Sequence, residues 1–243
     1  MFKKMLQEYL ESMNIDSAQT VLDMGCGTGV VSRAIAKRDA FSGTVIGIDI
    51  SSYLLEEARR LALEEDINDK INFYEGDSSC LDIFEKEIDT VVVHTLLSHV
   101  DDPLAVLKEA ARVVKPRGLV GIFEGDFASL AFGHETYSNS HHYDEAIINA
   151  VVTNPRVTRQ IPRLLRQSDL ELVSFFPYIV ADIGKSDFWL PTILLCRTLI
   201  PAAGKMSAQE SNLMIESLIK ASEEGVFFGA GAFYSFVAKR RGY

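Results

Sequence analysis

A doubly wound α/β fold, with a mostly parallel sheet, a last antiparallel strand and helical lid insertions, is what this 243-residue sequence predicts. Three observations carry that expectation. Apolar runs of strand length alternate with helix-period segments through about residue 125, the rhythm of parallel βαβ units. Right-handed crossovers between such units wind helices onto both faces of the sheet. Asp23, Asp49, Asp77 and His94 fall at or just past successive strand ends, the edge at which doubly wound sheets take their ligands.

The elements follow in order. Residues 3–13 have the spacing of a short amphipathic helix, and Thr20–Met24 reads as a buried strand. After a glycine-rich turn, Val30, Val31, Ala34 and Ile35 form a helical stripe. Thr44–Ile50 is the next strand, and Ser51 or Ser52 is suited to cap a helix with Leu54, Leu55, Ala58, Leu61 and Ala62 inward. Lys70–Tyr74 and Ile88–His94 are strands. Asp102 before Pro103 is an N-cap followed by proline at the first helical position. Pro116, Arg117 and Gly118 then turn the chain into a strand at Leu119–Glu124.

Beyond Glu124 the rhythm breaks. A helix is expected around Glu145–Val152, a short one at Arg163–Ser168, a strand at Glu171–Ile179, a helix opened by the capping box Ser207/Glu210, and a final strand at Val226–Val237. The whole reads as a single domain, 1–243, with insertions at about 126–160 and 184–224 that build the lid or the acceptor side. The apolar stretch Trp189–Leu199 fits a lid, a core or a dimer face equally.

Composition narrows the class. A chain 47% hydrophobic and 24% charged is globular. Its net charge of -10 argues against a general nucleic-acid partner, because phosphate neutralisation needs a basic face. The three cysteines, Cys26, Cys80 and Cys196, have neither zinc nor disulfide spacing, so no metal site is expected. No apolar run reaches spanning length, and Met1–Leu10 is mixed and charged, so the expectation is a cytoplasmic protein without a membrane partner.

The richest segment is Val21–Gly29, VLDMGCGTG. Glycine at every second position after a strand allows positive φ and a close ligand approach. The dinucleotide fingerprint is GxGxxG, in which the third glycine lets the helix pack closely and the pyrophosphate sits at the helix N-terminus. Here Val30 stands at the third position, and Asp23 precedes the turn. A carboxylate there repels a pyrophosphate and suits a ligand bearing an ammonium or sulfonium group.

Val21–Gly29, the GIDIS at Gly47–Ser51, the EGD at Glu75–Asp77 and the KPRG at Lys115–Gly118 together resemble the ordered motifs of class I S-adenosylmethionine-dependent methyltransferases, in their small-molecule branch. The resemblance covers about residues 15–125 and implies a Rossmann-like sheet with S-adenosyl-L-methionine as cofactor. It departs from the family's usual KPGG at Arg117, for which only a changed turn is expected. It implies that Asp23 orients the methionyl end through backbone or water, and that Gly25 and Gly27 give backbone contacts. It further implies that Asp49 takes both ribose hydroxyls, Ile50 lies against adenine, and Asp77 accepts from the adenine amine beside the Ser78 backbone. His94 borders the methyl group and the acceptor.

Several residues keep more than one reading. His94 is a structural histidine, a wall of the cofactor pocket or a general base, and it is the one catalytic candidate. Arg156, Arg159, Arg163 and Arg166 recur every three or four residues; the run is a solvated basic face or, through Arg159 and Arg163, a clamp on an acceptor's carboxylate or phosphate. Phe127, Phe132, Tyr137 and Tyr143 line an acceptor pocket or pack a lid. The function expected is methyl transfer to a small-molecule O, N or C acceptor by in-line displacement, in which the protein supplies proximity and alignment. A non-catalytic S-adenosylmethionine-binding module and a NAD-type oxidoreductase are the alternatives. The acceptor and the oligomeric state are not legible.

Overall fold

The computed structural model describes residues 2–15, 19–82, 87–135 and 140–241. The elements run α1 (Phe2–Ser12), β1 (Thr20–Met24), α2 (Val30–Ala36), β2 (Thr44–Asp49), α3 (Ser52–Glu64), β3 (Ile71–Glu75), β4 (Ile88–His94), α4 (Pro103–Val113) and β5 (Val114–Phe132). They continue with α5 (Ser140–Val151), a 3-10 turn (Val157–Gln160), α6 (Ile161–Gln167), β6 (Leu170–Gly184), α7 (Leu190–Ala202), α8 (Ala208–Glu223) and β7 (Phe227–Arg240). The seven strands form one sheet in the order β3-β2-β1-β4-β5-β7-β6, parallel from β3 through β5 with the last strands antiparallel. The chain order therefore reverses beside β1, which pairs with β2 on one side and β4 on the other. That reversal is the switch point at which such sheets open a crevice.

The chain divides into two compact units. The first holds Met1–Glu124, Gln160–Phe176 and Ser235–Tyr243. Its core is the near-continuous apolar run of β1 and β4, with Val21, Leu22, Met24, Val91, Val92 and Val93 all fully buried, as expected of strands covered on both faces. Helix α1 adds Met5, Leu6, Tyr9 and Leu10 to that core. The caps expected from sequence are present. Ser51 accepts from Leu54 N–H at the start of α3, and Asp102 accepts from Leu104 and Ala105 N–H at the start of α4. At the amino-terminal end of the sheet Asp89 joins three strands: its carboxylate accepts from Thr20 N–H at 2.9 Å and from Lys115 Nζ at 2.6 Å.

Two expectations need correction here. The strand placed at Leu119–Glu124 runs from Val114 to Phe132, so strand structure persists through the polar ends of its sequence. The turn placed at Pro116–Gly118 is an irregularity inside that strand: Ile88 pairs with Val114, but Thr90 already pairs with Leu119. Arg117 adopts φ 64 there, a left-handed conformation that costs a non-glycine residue about 1 kcal/mol. The altered turn is thus a bulge with a strained arginine at its crest.

The second unit holds Gly125–Arg159 and Pro177–Tyr234. Helix α7 packs against α5 and α8. Ile193, Cys196 and Ile200 of α7 are buried while Leu194 and Leu195 are exposed, so the apolar stretch is core along one face. Asp182 anchors the start of α7 by accepting from Phe188 and Trp189 N–H at 2.8 and 3.0 Å. The capping box of α8 is complete between Ser207 and Glu210. Among the described residues no helix is long and apolar enough to cross a membrane.

Candidate functional site

The glycine turn is shaped by β1 and β2 together. Gly25 and Cys26 N–H both donate to Ile48 O, at 2.8 and 2.9 Å, which draws the turn across the tip of β2. Gly25, Gly27 and Gly29 take φ 69, 53 and 73, values that side-chain-bearing residues rarely adopt. A Cβ on Gly25 would stand 2.5 Å from Leu96 Cδ1, whereas nothing lies within 4 Å of one on Gly27. Gly25 is therefore packed from behind, and Gly27 presents open backbone.

Asp49 ties this turn to β2. One carboxylate oxygen accepts from Gly27 N–H at 2.8 Å and the other from Ser51 N–H at 2.9 Å. Each oxygen retains a lone pair in a fixed orientation. The neighbouring Ile50 side chain is 74% exposed, an apolar face at the mouth of a polar turn. Asp77, past β3, accepts from Ser79 N–H and Oγ at 2.7 Å each; these bonds hold its carboxyl below the usual range. Ser78 beside it is buried. A cavity of about 450 Å³ opens at the end of β3, with Ile46, Ile48, Tyr74 and Leu81 on its walls beside the acidic Glu75 and Asp82.

Asp23 has turned inward. It is 1% exposed, and its Oδ2 accepts from Ser32 N–H at 3.0 Å and Ser32 Oγ at 2.6 Å. It thus anchors the first turn of α2, where a carboxylate also meets the helix dipole favourably. Burial pushes its pKa up to about 6 against the opposing Ser32 bonds. With its carboxylate turned to Ser32, Asp23 leaves its backbone beside the glycines, in keeping with the backbone or water-mediated role that the resemblance implies.

His94 ends β4, half-buried, its ring stacked on Phe123 at 4.6 Å and 7° and 5.9 Å from Tyr9. Burial lowers its pKa to about 4, so the imidazole is neutral throughout the physiological range. Thr95, which follows, has φ 50 and donates its N–H to Phe123 O at 2.7 Å. A β-branched residue held at positive φ is a strained one. Beyond it, Ser98 donates through N–H and Oγ to the fully buried Glu124 at 3.1 and 2.9 Å. Sequence reasoning passed over Thr95, Ser98 and Glu124. The adjacency of HTLLSH to a strand end was the available signal, but neither a positive φ nor a partner 26 residues away has a local signature.

In the second unit Arg159 is not a free clamp. Its Nε and Nη2 both reach Asp126 Oδ2 at 3.0 Å. Arg163 lies exposed on α6, separate from the 3-10 turn that carries Arg159. His134 pairs with Asp144 at 3.0 Å. Phe132 contacts Trp189 edge to face at 5.8 Å, and Phe127 contacts Phe233 at 6.2 Å. Tyr143 stands edge-on to His134 at 5.2 Å, and Tyr137 lies outside the described residues. Among the described residues no group of three or more metal-ligating side chains converges.

A reversal point beside β1, a glycine turn with open backbone and an oriented carboxylate at the next strand tip are features of an α/β domain of the class I methyltransferase fold. Residues 21–118 match the family model described as a methyltransferase domain. The match thus places a methyltransferase domain at residues 21–118, within a fold shared with methyltransferase-like structures. The chain is 29% identical over 237 residues to an uncharacterised 37.1 kDa protein in transposon Tn4556 of Streptomyces fradiae, covering 95% of this chain and 65% of that protein. It is 29% identical over 168 residues to the ubiquinone biosynthesis O-methyltransferase of Hydrogenovibrio crunogenus, covering 69% of this chain and 64% of the enzyme. It thus spans less than two thirds of the length of these curated relatives. Among solved structures, a candidate methyltransferase from Bacillus halodurans C-125 superposes with a TM-score of 0.70 at 15% identity, covering 98% of this chain and 99% of that one.

Proposed function

We propose that this protein transfers the methyl group of S-adenosylmethionine to an oxygen, nitrogen or carbon atom of a small-molecule acceptor. The observation that carries the reading is Asp49, whose two oxygens are each anchored by one backbone N–H, at Gly27 and Ser51, with a lone pair left on each. A vicinal diol is the donor set that such a carboxylate accepts in bidentate fashion. The rest of the cradle fits the same molecule. Gly25 and Gly27 offer backbone, Ile50 offers an apolar face to a purine, and Asp77, oriented by Ser79, offers an acceptor for the base's amine. Asp23 acts from behind, by holding α2 and the turn through Ser32.

When bound, the cofactor supplies a methyl group already activated on a sulfonium. The residues of this chain then have to orient, exclude water and leave the acceptor unprotonated at the attacking atom. Alignment of this kind contributes roughly 7–11 kcal/mol in well-ordered systems. His94 serves as a neutral wall in this reading, because a base held near pKa 4 is poorly matched to proton abstraction at neutral pH. The insertions at 126–160 and 184–224 build the acceptor side, with a ring-lined interior in place of an Arg159/Arg163 anion clamp. The relative from Hydrogenovibrio crunogenus, an O-methyltransferase by name, favours a hydroxyl acceptor.

Calorimetric titration of S-adenosylmethionine tests the cradle. Wild type is expected to bind it, and Asp49→Ala to bind at least about a hundredfold more weakly, since two charge-assisted hydrogen bonds are lost. Equal affinity in both proteins would remove Asp49 from the site, and a folded wild type that ignores the cofactor would remove the proposal.

A further inference from the structure

We infer that strand β6 is a self-association edge: two copies of this chain pair antiparallel along Leu172–Phe176, about a two-fold axis at Ser174. The strand lies last in the sheet, so its outer side has no strand partner among the described residues. An unpaired row of backbone N–H and C=O groups is a template for another strand, and proteins that stay monomeric blunt it with charge, a cover or brevity. The opposite edge, β3, is managed in that way. It has five residues, Asn72 and Glu75 are polar and exposed, and Arg59 Nη2 covers Phe73 O at 2.7 Å. Strand β6 has fifteen residues, and none between Glu171 and Asp182 is charged. Val173 and Phe175 are 54% and 57% exposed on one face of the strand, and Leu172 and Phe176 are exposed on the other. Large apolar side chains on both faces of a bare edge mark a surface that is covered in solution.

The strand's own residues point to a second copy as the partner. In a two-fold contact each residue of one copy meets a residue of the other, and the reverse pair recurs across the axis. Centred at Ser174, the pairing sets Val173 against the partner's Phe175 on one face and Leu172 against the partner's Phe176 on the other. Each pair joins an aliphatic to an aromatic side chain, a favoured cross-strand combination. Glu171 falls opposite Pro177, so no charge faces a like charge. The chain carries a net charge of -10, which repels a second copy from most approaches and favours this neutral strip. Pro177 sets the extent and the phase of the ladder. Having no N–H, a proline in a strand takes the side with no ladder bond to lose. Backbone groups alternate sides, so those of Val173 and Phe175 face the free edge as well and supply the hydrogen bonds of the pair. Ser174 is left at the closely spaced position, where opposing Cα atoms stand about 4.5 Å apart.

Sedimentation equilibrium of the full chain, from low to high micromolar concentration, tests the edge. Wild type is expected to pass from monomer to dimer over that range, because a ladder of this length buries less than a standard interface. Phe175→Glu brings like charges close to the axis and should weaken the dimer by at least about tenfold. Cysteine cross-linking reads the register independently, in a Cys80→Ser background that removes the exposed native thiol. Ser174→Cys is expected to oxidise to a covalent dimer, since opposing Cα atoms at that position stand within disulfide range. Leu172→Cys, whose own counterpart lies several residues away across the axis, is expected to stay uncoupled. A wild type that remains monomeric at every concentration overturns the inference, and so does a dimer that Phe175→Glu leaves intact. Equal cross-linking by the two cysteine variants, or none by Ser174→Cys, overturns it even where Phe175→Glu fails to fold.

Discussion

In the first unit the strand-end carboxylates each meet a backbone N–H: Asp49 at Gly27 and Ser51, and Asp77 at Ser79 and Asp23 at Ser32, each of these two with the serine hydroxyl beside it. In the second unit Asp182 is held the same way, by Phe188 and Trp189 N–H, but Asp126 meets the Arg159 side chain and His134 meets Asp144. The difference is one of construction. Backbone donors come with the fold, so a carboxylate at the right strand tip is oriented as soon as the sheet forms. A side-chain partner has to be supplied separately, and replacing either member redirects the other. The first arrangement suits a cofactor shared across a family, and the second suits an acceptor that varies from one relative to the next.

The comparison can be broken most forcefully at Asp23. Its folded pKa, near 6, lies above the ordinary 3.8, so the folded state binds a proton more tightly than the unfolded chain. The stability this provides is complete below about pH 4 and is lost as pH rises through 6. Asp23→Asn does not titrate. Urea unfolding at pH 4 and pH 7 should therefore show the variant gaining about 2 kcal/mol on wild type between the two. A constant difference would mean that Asp23 is solvated rather than buried against Ser32.

Smaller effects sharpen the same contrast. Ser207→Ala removes the capping box that opens α8 and should destabilise the protein by about 1 kcal/mol in the same assay. Its affinity for S-adenosylmethionine should not change, because the cap belongs to the second unit; a weakened affinity would tie α8 to the cradle. His94 should show the least response of all. Its ring resonances, followed by NMR, are expected to titrate near pH 4 and to stay flat from pH 5 to 8. A midpoint between 6 and 7 would restore the general-base assignment.

The first unit was largely legible in the sequence for a physical reason. Strand-end acids, alternate glycines, Ser51 and Asp102 each act over a few residues or across one strand pair, and period and capping rules read such short distances well. Asp23 was singled out by its place before the glycines, but its partner Ser32, nine residues on, has no local signature. The second unit resisted. Strand β5 continues past Glu124 through residues with weak strand preference, sustained by pairings made far away, such as Ser129 Oγ receiving Ala232 N–H across 103 positions. Arg159 was singled out by its spacing, but its partner Asp126, 33 residues earlier, has no signature that spacing can detect.

The Asp89 staple has a consequence for the timing of folding. It joins Thr20, 69 positions earlier, to Lys115, 26 positions later, and β1 cannot be flanked on both sides until β4, through Val93, has left the ribosome. Until then the glycine turn has only β2 to lean on, and the nascent chain carries a half-walled crevice. Closing so long a loop is slow chiefly because the ends must find each other, each doubling of length adding about 0.6 kcal/mol to the search. The cradle is thus finished only once β4 has emerged, and the parallel β1–β4 contact, more than any helix, is where refolding of this domain should wait.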